Sequence, residues 1–158
     1  MPDRRIALTP NTKDAILAQI SAMPPEARRE VSAAWLASVE AAPEDDVWLF
    51  GYVAHDRATG AVVGTGGFKA PPSSTGAVEI AYGIEPECQG RGFATEVAAA
   101  LVDVARASGQ VRTVLAHTLP AGAASARVLE KNGFMRVGTV MDADDGEVWR
   151  WRLDIEGA

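Results

Sequence analysis

Two hydrophobic periods share this chain, and the places where one gives way to the other predict its elements. Ile6-Ala7-Leu8 has the length of a short opening strand, bounded by Thr9-Pro10. Ile16, Ile20 and Met23 then recur at helical spacing, with Asn11 or Thr12 placed to cap the first turn. Pro24-Pro25 closes this helix, and Pro25 suits the first turn of a second one. The second helix carries the stripe Val31, Trp35 and Val39, read as core, and stops before Pro43. β-rich runs over residues 48–54 and 62–69 follow, joined by the hairpin-like Asp56-Arg57-Ala58-Thr59-Gly60. Gly64, Gly66 and Gly67 mark a bend or bulge in the second run. A polar loop, 70–76, leads into a strand over 78–84.

The second half repeats the alternation of periods. Residues 95–107 read as a helix with Val97, Leu101, Val104 and Ala105 on one face and Gly109 as its stop. A buried strand is predicted over 113–116, a short helix over 123–132 closed by Gly133, and an antiparallel pair over 134–140 and 147–153. On the last strand Trp149, Trp151 and Leu153 alternate with Arg150 and Arg152, so the apolar set is assigned to the core and the arginines to the other face. The order β-α-α-β-β-β-α-β-α-β-β is that of an α+β sandwich. No repeat, low-complexity tract or linker interrupts it, and 158 residues fit one domain over 1–158.

Composition narrows the function classes. A hydrophobic fraction of 47% is ordinary for a globular chain, and no apolar run reaches membrane-spanning length. The charged start Met1-Pro2-Asp3-Arg4-Arg5 lacks a signal-peptide core, so a cytoplasmic location is expected. The single cysteine, Cys88, cannot form an internal disulfide and is read as incidental. A formal charge of −6 argues against a nucleic-acid surface and is compatible with a cationic acceptor such as an amine. Asp142-Ala143-Asp144-Asp145-Gly146 has a faint likeness to a calcium loop, but its glycine comes one residue early and the twelfth position is Leu153, so an acidic turn and no metal are expected.

The most chemically specific stretch is Gln89-Gly90-Arg91-Gly92-Phe93-Ala94, between a strand and a helix. Two glycines there can take backbone angles that a Cβ resists, letting N–H groups converge at a helix mouth as a nest for phosphate oxygens. The stretch lacks the Gly-Lys-Ser/Thr of a P-loop and the complete G-x-G-x-x-G of a dinucleotide fold. Pro86, Gln89, Gly92 and Ala94 resemble the acetyl-CoA signature Q/R-x-x-G-x-G/A of the GNAT superfamily of N-acetyltransferases. Residues 125–134, Ser-Ala-Arg-Val-Leu-Glu-Lys-Asn-Gly-Phe, resemble the later GNAT helix and its exit. Val78-Glu79-Ile80-Ala81-Tyr82 resembles the E-I-G-Y strand. Both forms are similar to the branch that includes the ribosomal-protein N-terminal acetyltransferases. The likeness runs from about residue 47 to 153.

The resemblance implies a mixed, mostly antiparallel central sheet flanked by helices, and an enzyme moving acetyl from acetyl-CoA to a primary amine by direct transfer in a ternary complex. It places the pyrophosphate on the backbone of Gln89, Gly90, Arg91, Gly92, Phe93, Ala94 and Thr95, with the Arg91 side chain as an extra cation. The pantetheine arm then lies along Tyr82, Gly83 and Ile84, whose strand also supplies an oxyanion donor. Glu79 stands on the face opposite Val78, Ile80 and Tyr82 and is assigned as general base; the alternative is a strand glutamate that is exposed or paired with Arg150 or Arg152. His117, at the end of the next strand, is the rival base, whereas His55 beside a hairpin turn is given no role. Leu129 and Gly122 depart from the family's usual tyrosine and asparagine, so the branch's serine, here Ser125, is taken as the acid, with helix capping as its alternative role. The acceptor is a small molecule or a protein N-terminus; Asp142, Asp144, Asp145 and Glu147 form either a solvated turn or a loop that draws it in. A homodimer is left open, and the alternative function is a non-catalytic acyl-CoA-binding or sensing protein.

Overall fold

The structure, a computed structural model, describes residues 4–43, 46–120, 122–143 and 146–155. Seven strands form one sheet in the order β1-β2-β3-β4-β5-β7-β6. They are β1 (Ile6–Pro10), β2 (Tyr52–Asp56), β3 (Val62–Phe68), β4 (Ala77–Ile84), β5 (Thr113–Thr118), β6 (Met135–Asp142) and β7 (Gly146–Asp154). Every neighbouring pair is antiparallel except β4 with β5. Helices α1 (Lys13–Ala22), α2 (Pro25–Arg29), α3 (Ala33–Ala41) and α4 (Val47–Phe50) lie between β1 and β2; α5 (Phe93–Ser108) joins β4 to β5, and α6 (Ala123–Lys131) joins β5 to β6. The expected α+β class, a mostly antiparallel sheet flanked by helices, is the observed one.

The core lies between the sheet and α5. Phe93, Val97, Ala98, Leu101, Val102 and Ala105 of the helix are buried against Val63, Phe68, Val78, Ile80, Val114, Ala116 and Trp151 of the strands. Gly66 lets the helix sit directly on β3: a Cβ there would stand 3.0 Å from both Val97 and Leu101. Gly109, at φ +72, ends α5 in the left-handed conformation that glycine adopts without steric cost.

Four local expectations are corrected. The run 48–54 is not one strand. Asp46 accepts from the N–H groups of Trp48 and Leu49 at 3.1 and 3.3 Å, winding a short turn of helix before Gly51 swings the chain into β2 at φ +68. The second predicted helix is two, because Ser32 caps a fresh start by accepting from Trp35 N–H. On that second piece Val39 is fully buried but Trp35 is 37% exposed and so is not core. On β7, Trp151 is buried while Trp149 and Leu153 are only partly so. Of the two cap candidates, Thr12 caps α1, whereas Asn11 donates to Phe50 O at 3.0 Å.

The expected irregularity in the glycine-rich run is present: the β2–β3 register skips between Ala54↔Gly64 and His55↔Val62, leaving Val63 as the extra residue. Gly64 also meets the middle of the sheet closely. A Cβ on it would stand 2.2 Å from Gly83 O, a backbone atom with no room to retreat. Gly64→Ala should therefore destabilise the protein by about 1–3 kcal/mol, measured as a fall in the urea midpoint. Gly83→Ala, whose Cβ would meet nothing within 4 Å, should leave the midpoint nearly unchanged. Equal effects would remove the close approach as a constraint.

Candidate active site

β4 and β5 pair over three positions only: Ala77↔Thr113, Val78↔Val114 and Glu79↔Leu115. Beyond Glu79, β4 stays with β3 as far as Ile84, and β5 stays with β7 as far as Thr118. The two strands therefore part, and one edge of Tyr82, Gly83 and Ile84 has no strand partner. A cleft of about 650 Å³ opens there. Its floor is Tyr82, Gly83 and Ile84. One wall is Cys88, Gln89, Gly90, Gly92, Phe93, Ala94 and Thr95; the other is the Ala124, Ser125, Arg127, Val128 and Lys131 face of α6.

The turn before α5 is built from the backbone. A 3₁₀ turn, Pro86–Cys88, leads to Gln89, whose side-chain amide donates back to Ile84 O at 3.1 Å. Gly90 and Gly92 sit at φ +76 and +83, and Gly92 is the N-cap with no capping side chain. The first N–H groups of α5 lack carbonyl partners within the helix, so they and the helix dipole present positive charge to the cleft. These features fit a pyrophosphate. Of the residues predicted to hold it, Arg91 alone does not line the cleft. Its guanidinium lies over the Phe93 ring at 4.9 Å.

Arg5 braces this turn from β1's leading end. Its NH2 donates to Arg91 O at 2.7 Å, its backbone N–H to Glu96 Oε1 at 2.7 Å, and its Nε to Glu96 Oε2 at 2.6 Å. Its guanidinium also covers the Phe93 ring at 4.6 Å. Glu96, in the first turn of α5, would repel an anion at the helix mouth, and Arg5 offsets its charge. At the other end of the cleft the Asn132 amide donates to Thr95 O and Val128 O at 3.2 and 3.0 Å, tying α6 to α5.

Glu79 is the centre of a charged row across the sheet. Its Oε2 is buried 2.8 Å from Lys69 Nζ and 2.9 Å from His117 Nδ1, ion-pair contacts without hydrogen-bond alignment. Access to the carboxylate is therefore through Oε1; the side chain keeps 22% exposure. Arg150 Nε donates to His117 Nε2 at 3.1 Å. An imidazole nitrogen that accepts from a guanidinium is unprotonated, so the ring proton sits on Nδ1, facing Glu79. The expected alternative for Glu79, pairing with Arg150 or Arg152, is corrected: its partners are Lys69 and His117, and Arg152 pairs instead with Asp154 at 2.9 Å. That contact, first among its causes, lowers the Asp154 carboxyl below its ordinary range.

Ser125 is exposed at the cleft wall and does not cap α6, whose N-cap is Gly122 without a side-chain bond. Leu129 is buried at 1% exposure, so no polar group reaches the cleft from that position. His55 lies on an exposed hairpin near Gly60 O. Asp142 closes β6 and Glu147 is exposed on β7, while Asp144 and Asp145 lie outside the described residues. Among the described residues no group of three or more His, Cys, Asp or Glu is arranged to hold a metal ion. Nor is any helix long and apolar enough to cross a membrane.

Sequence reasoning missed Lys69, Arg127, Lys131, Arg5 and a second cleft. Arg127 and Lys131 stand four apart on one helix face, a spacing that could have flagged them. The pairing of Arg5 with Glu96, 91 residues away, has no local signal. The second cleft, about 500 Å³, lies against the other side of β4, lined by Asn11, Leu49, Phe50, Gly51, Tyr52, Thr65, Gly66, Gly67, Phe68, Ala81, Tyr82 and Gly83. Tyr82 and Gly83 line both clefts. Burial raises the Tyr82 phenol to about 12, so it stays protonated in the neutral range.

A parted parallel pair with a glycine turn and an uncapped helix start at its mouth frames the comparison with known proteins. The sequence model described as the acetyltransferase (GNAT) domain matches residues 7–135, and the chain belongs to that family, the N-acetyltransferase class of enzymes. Solved structures share the fold. Spermidine N-acetyltransferase from Vibrio cholerae, solved with CoA and spermine, superposes with a TM-score of 0.72 at 15% identity over 96% of each chain. Aminoglycoside acetyltransferase AAC(6′)-Ib, solved with coenzyme A and kanamycin, gives 0.66 at 20% identity over 94% of each chain. No curated protein sequence matches significantly.

Gly92→Val forces a β-branched residue to φ +83 and sets its Cβ 3.1 Å from Arg5 NH2. It should cost about 1–2 kcal/mol of stability and weaken acetyl-CoA binding by roughly tenfold or more, equivalent to about 1.4 kcal/mol. Calorimetry showing unchanged affinity in a folded variant would place the phosphates elsewhere. A second expectation concerns alkali. The Tyr82 pKa is raised on folding, so its stabilising contribution is complete below the ordinary value of 10.0 and is lost as pH rises toward about 12. Tyr52 shifts the same way, also by burial. Absorbance titration should therefore show little phenolate from the folded chain near pH 10; full ionisation of both tyrosines there would contradict their burial.

Proposed function

We propose that this chain transfers acetyl from acetyl-CoA directly to a primary amine in a ternary complex, as one GNAT-like unit acting in the cytoplasm. The observation that carries the reading is the parting of β4 from β5 with a cleft on each side of Tyr82–Gly83. In this reading the N–H groups from Gly90 to Thr95 hold the pyrophosphate, with Arg127 and Lys131 adding positive charge along the wall. The free edge of Tyr82, Gly83 and Ile84 pairs with the pantetheine arm and offers a backbone N–H to the developing oxyanion. The second cleft and the sheet face of Glu79 and His117 beside it take the acceptor.

Glu79 shares a sheet face with Ala81 and Gly83 of the acceptor cleft. Its accessible Oε1 takes the proton as the amine nitrogen bonds to the acetyl carbon and the carbon–sulfur bond breaks. His117 is the weaker candidate base: its lone pair accepts from Arg150, and its proton faces Glu79. Ser125, open to the cleft, or water returns a proton to the departing thiolate. The serine at the cleft wall, with Leu129 where the family's tyrosine stands, supports a place in the ribosomal-protein-like branch. Asp142 and Glu147 favour a protonated amine in the encounter, and an amine of low pKa sheds its proton most readily, which favours an α-amine over a lysine side chain.

One pair of observations favours a second reading, a non-catalytic acyl-CoA sensor. Gly122 supplies no side chain to the pantetheine, and Leu129 turns inward.

Glu79→Gln separates the two readings. Turnover should fall by on the order of 10²–10⁴ while acetyl-CoA affinity is nearly unchanged, and the acidic limb of the pH–rate profile should vanish. A loss under about tenfold would hand the base role to His117 or to solvent. No acetyl transfer to any amine by the parent, with acetyl-CoA still bound, would favour the sensor.

A further inference from the structure

We propose that Arg150 is the carboxylate-binding group of the acceptor site, and that the acceptor is a small amine bearing a carboxylate, an amino acid in the simplest case. The inference rests on the acetyl-transfer reading above and adds to it the class of substrate.

The argument begins with register. Lys69 N–H donates to Glu79 O, Glu79 pairs with Leu115, and His117 pairs with Arg150. Lys69, Glu79, His117 and Arg150 therefore share the sheet face turned away from α5, with His117 and Arg150 two residues further along β5 and β7 than the positions level with Glu79. On that face the charges of Lys69 and Glu79 offset each other, and His117 lies between Glu79 and Arg150. Arg152, next on β7, is offset by Asp154.

Arg150 is the exception. Its side chain is half-buried, its Nε donates to His117, and among the described residues no carboxylate lies within ion-pair reach of it. A guanidinium keeps its charge throughout the accessible pH range, and its remaining N–H groups form a fork matched to a carboxylate. No side chain stands beside it on β6. The residue opposite on β6 is Gly138, on the same face, and a Cβ there would meet nothing within 4 Å. A half-buried cation with no carboxylate partner among the described residues is a recognition group in want of a ligand.

Position then selects the ligand. Arg150 and Glu79 stand at opposite sides of one imidazole ring, so a molecule with its amine at Glu79 Oε1 and its carboxylate on Arg150 needs only a short carbon link between them. The same guanidinium repels a second ammonium group. This separates the expected acceptor from polyamines.

The test is acetyl-CoA-dependent thiol release with leucine and phenylalanine against leucinamide and phenylalaninamide, and with spermidine. The amides have the more easily deprotonated amine, so any preference for the acids reports the carboxylate. The parent should favour the acids in kcat/KM by about ten- to a hundredfold, the range of one charge-assisted hydrogen bond. Arg150→Gln should erase that ratio and Arg150→Lys should restore part of it. Amides or spermidine used as well as the acids by the parent, or a ratio unmoved in Arg150→Gln, would overturn the proposal. If no amine is acetylated, calorimetry of leucine binding to the CoA-saturated protein decides the point separately. Binding that Arg150→Gln abolishes supports the subsite though the transfer reading has failed; no binding, or binding indifferent to the substitution, overturns it.

Discussion

The early end of pairing between β4 and β5 is the constraint on which the rest of the structure depends. A parallel pair continued to Ile84 would satisfy both edges of β4, and no backbone would be left to meet a ligand. Pairing stops after Glu79, and the edge beyond it carries backbone donors and acceptors that must find partners elsewhere. The opposite edge is held firmly by β3, where Gly64 lets the strands meet at a distance no side chain would permit. The free edge is thus a rigid one, and rigidity is what positions reacting groups.

The remaining elements of the site follow from that opening. α5 starts where β4 ends, so its uncapped N–H groups face the mouth of the cleft. Arg5, from the far side of the sheet, neutralises Glu96 and braces the turn. α6 closes the other wall and is anchored to α5 through Asn132. Each of these links joins residues distant in sequence, and together they keep the turn before α5 in register with the strand beside it.

Electrostatics set the character of the opposite face. An overall charge of −6 suggests attraction for cations, yet the row beside Glu79 is mostly basic. The difference lies in scale: net charge governs approach over distances comparable to the Debye length, while discrimination at the site depends on individual groups at contact distance. The acidic residues of the β6–β7 end and the cations beside Glu79 act at these two different ranges.

What the sequence determined by itself is the part written in local pattern. Strand alternation, helix periodicity and the paired glycines at 90 and 92 identified the sheet, α5 and the glycine turn before it, because each depends on neighbours a few residues apart. It misread 48–54, where hydrophobic content suits a strand but the Asp46 side chain caps a helical turn. It also took Trp35 for core, since helical spacing does not say which stripe meets the sheet. Tertiary structure alone decided that Glu79 meets Lys69 and His117, that Arg150 holds the imidazole proton in place, and that Arg5 rather than Arg91 braces the turn. Those contacts form between strands brought side by side by the fold. Their energies depend on the distance, burial and alignment of groups tens of residues apart, which no local pattern records.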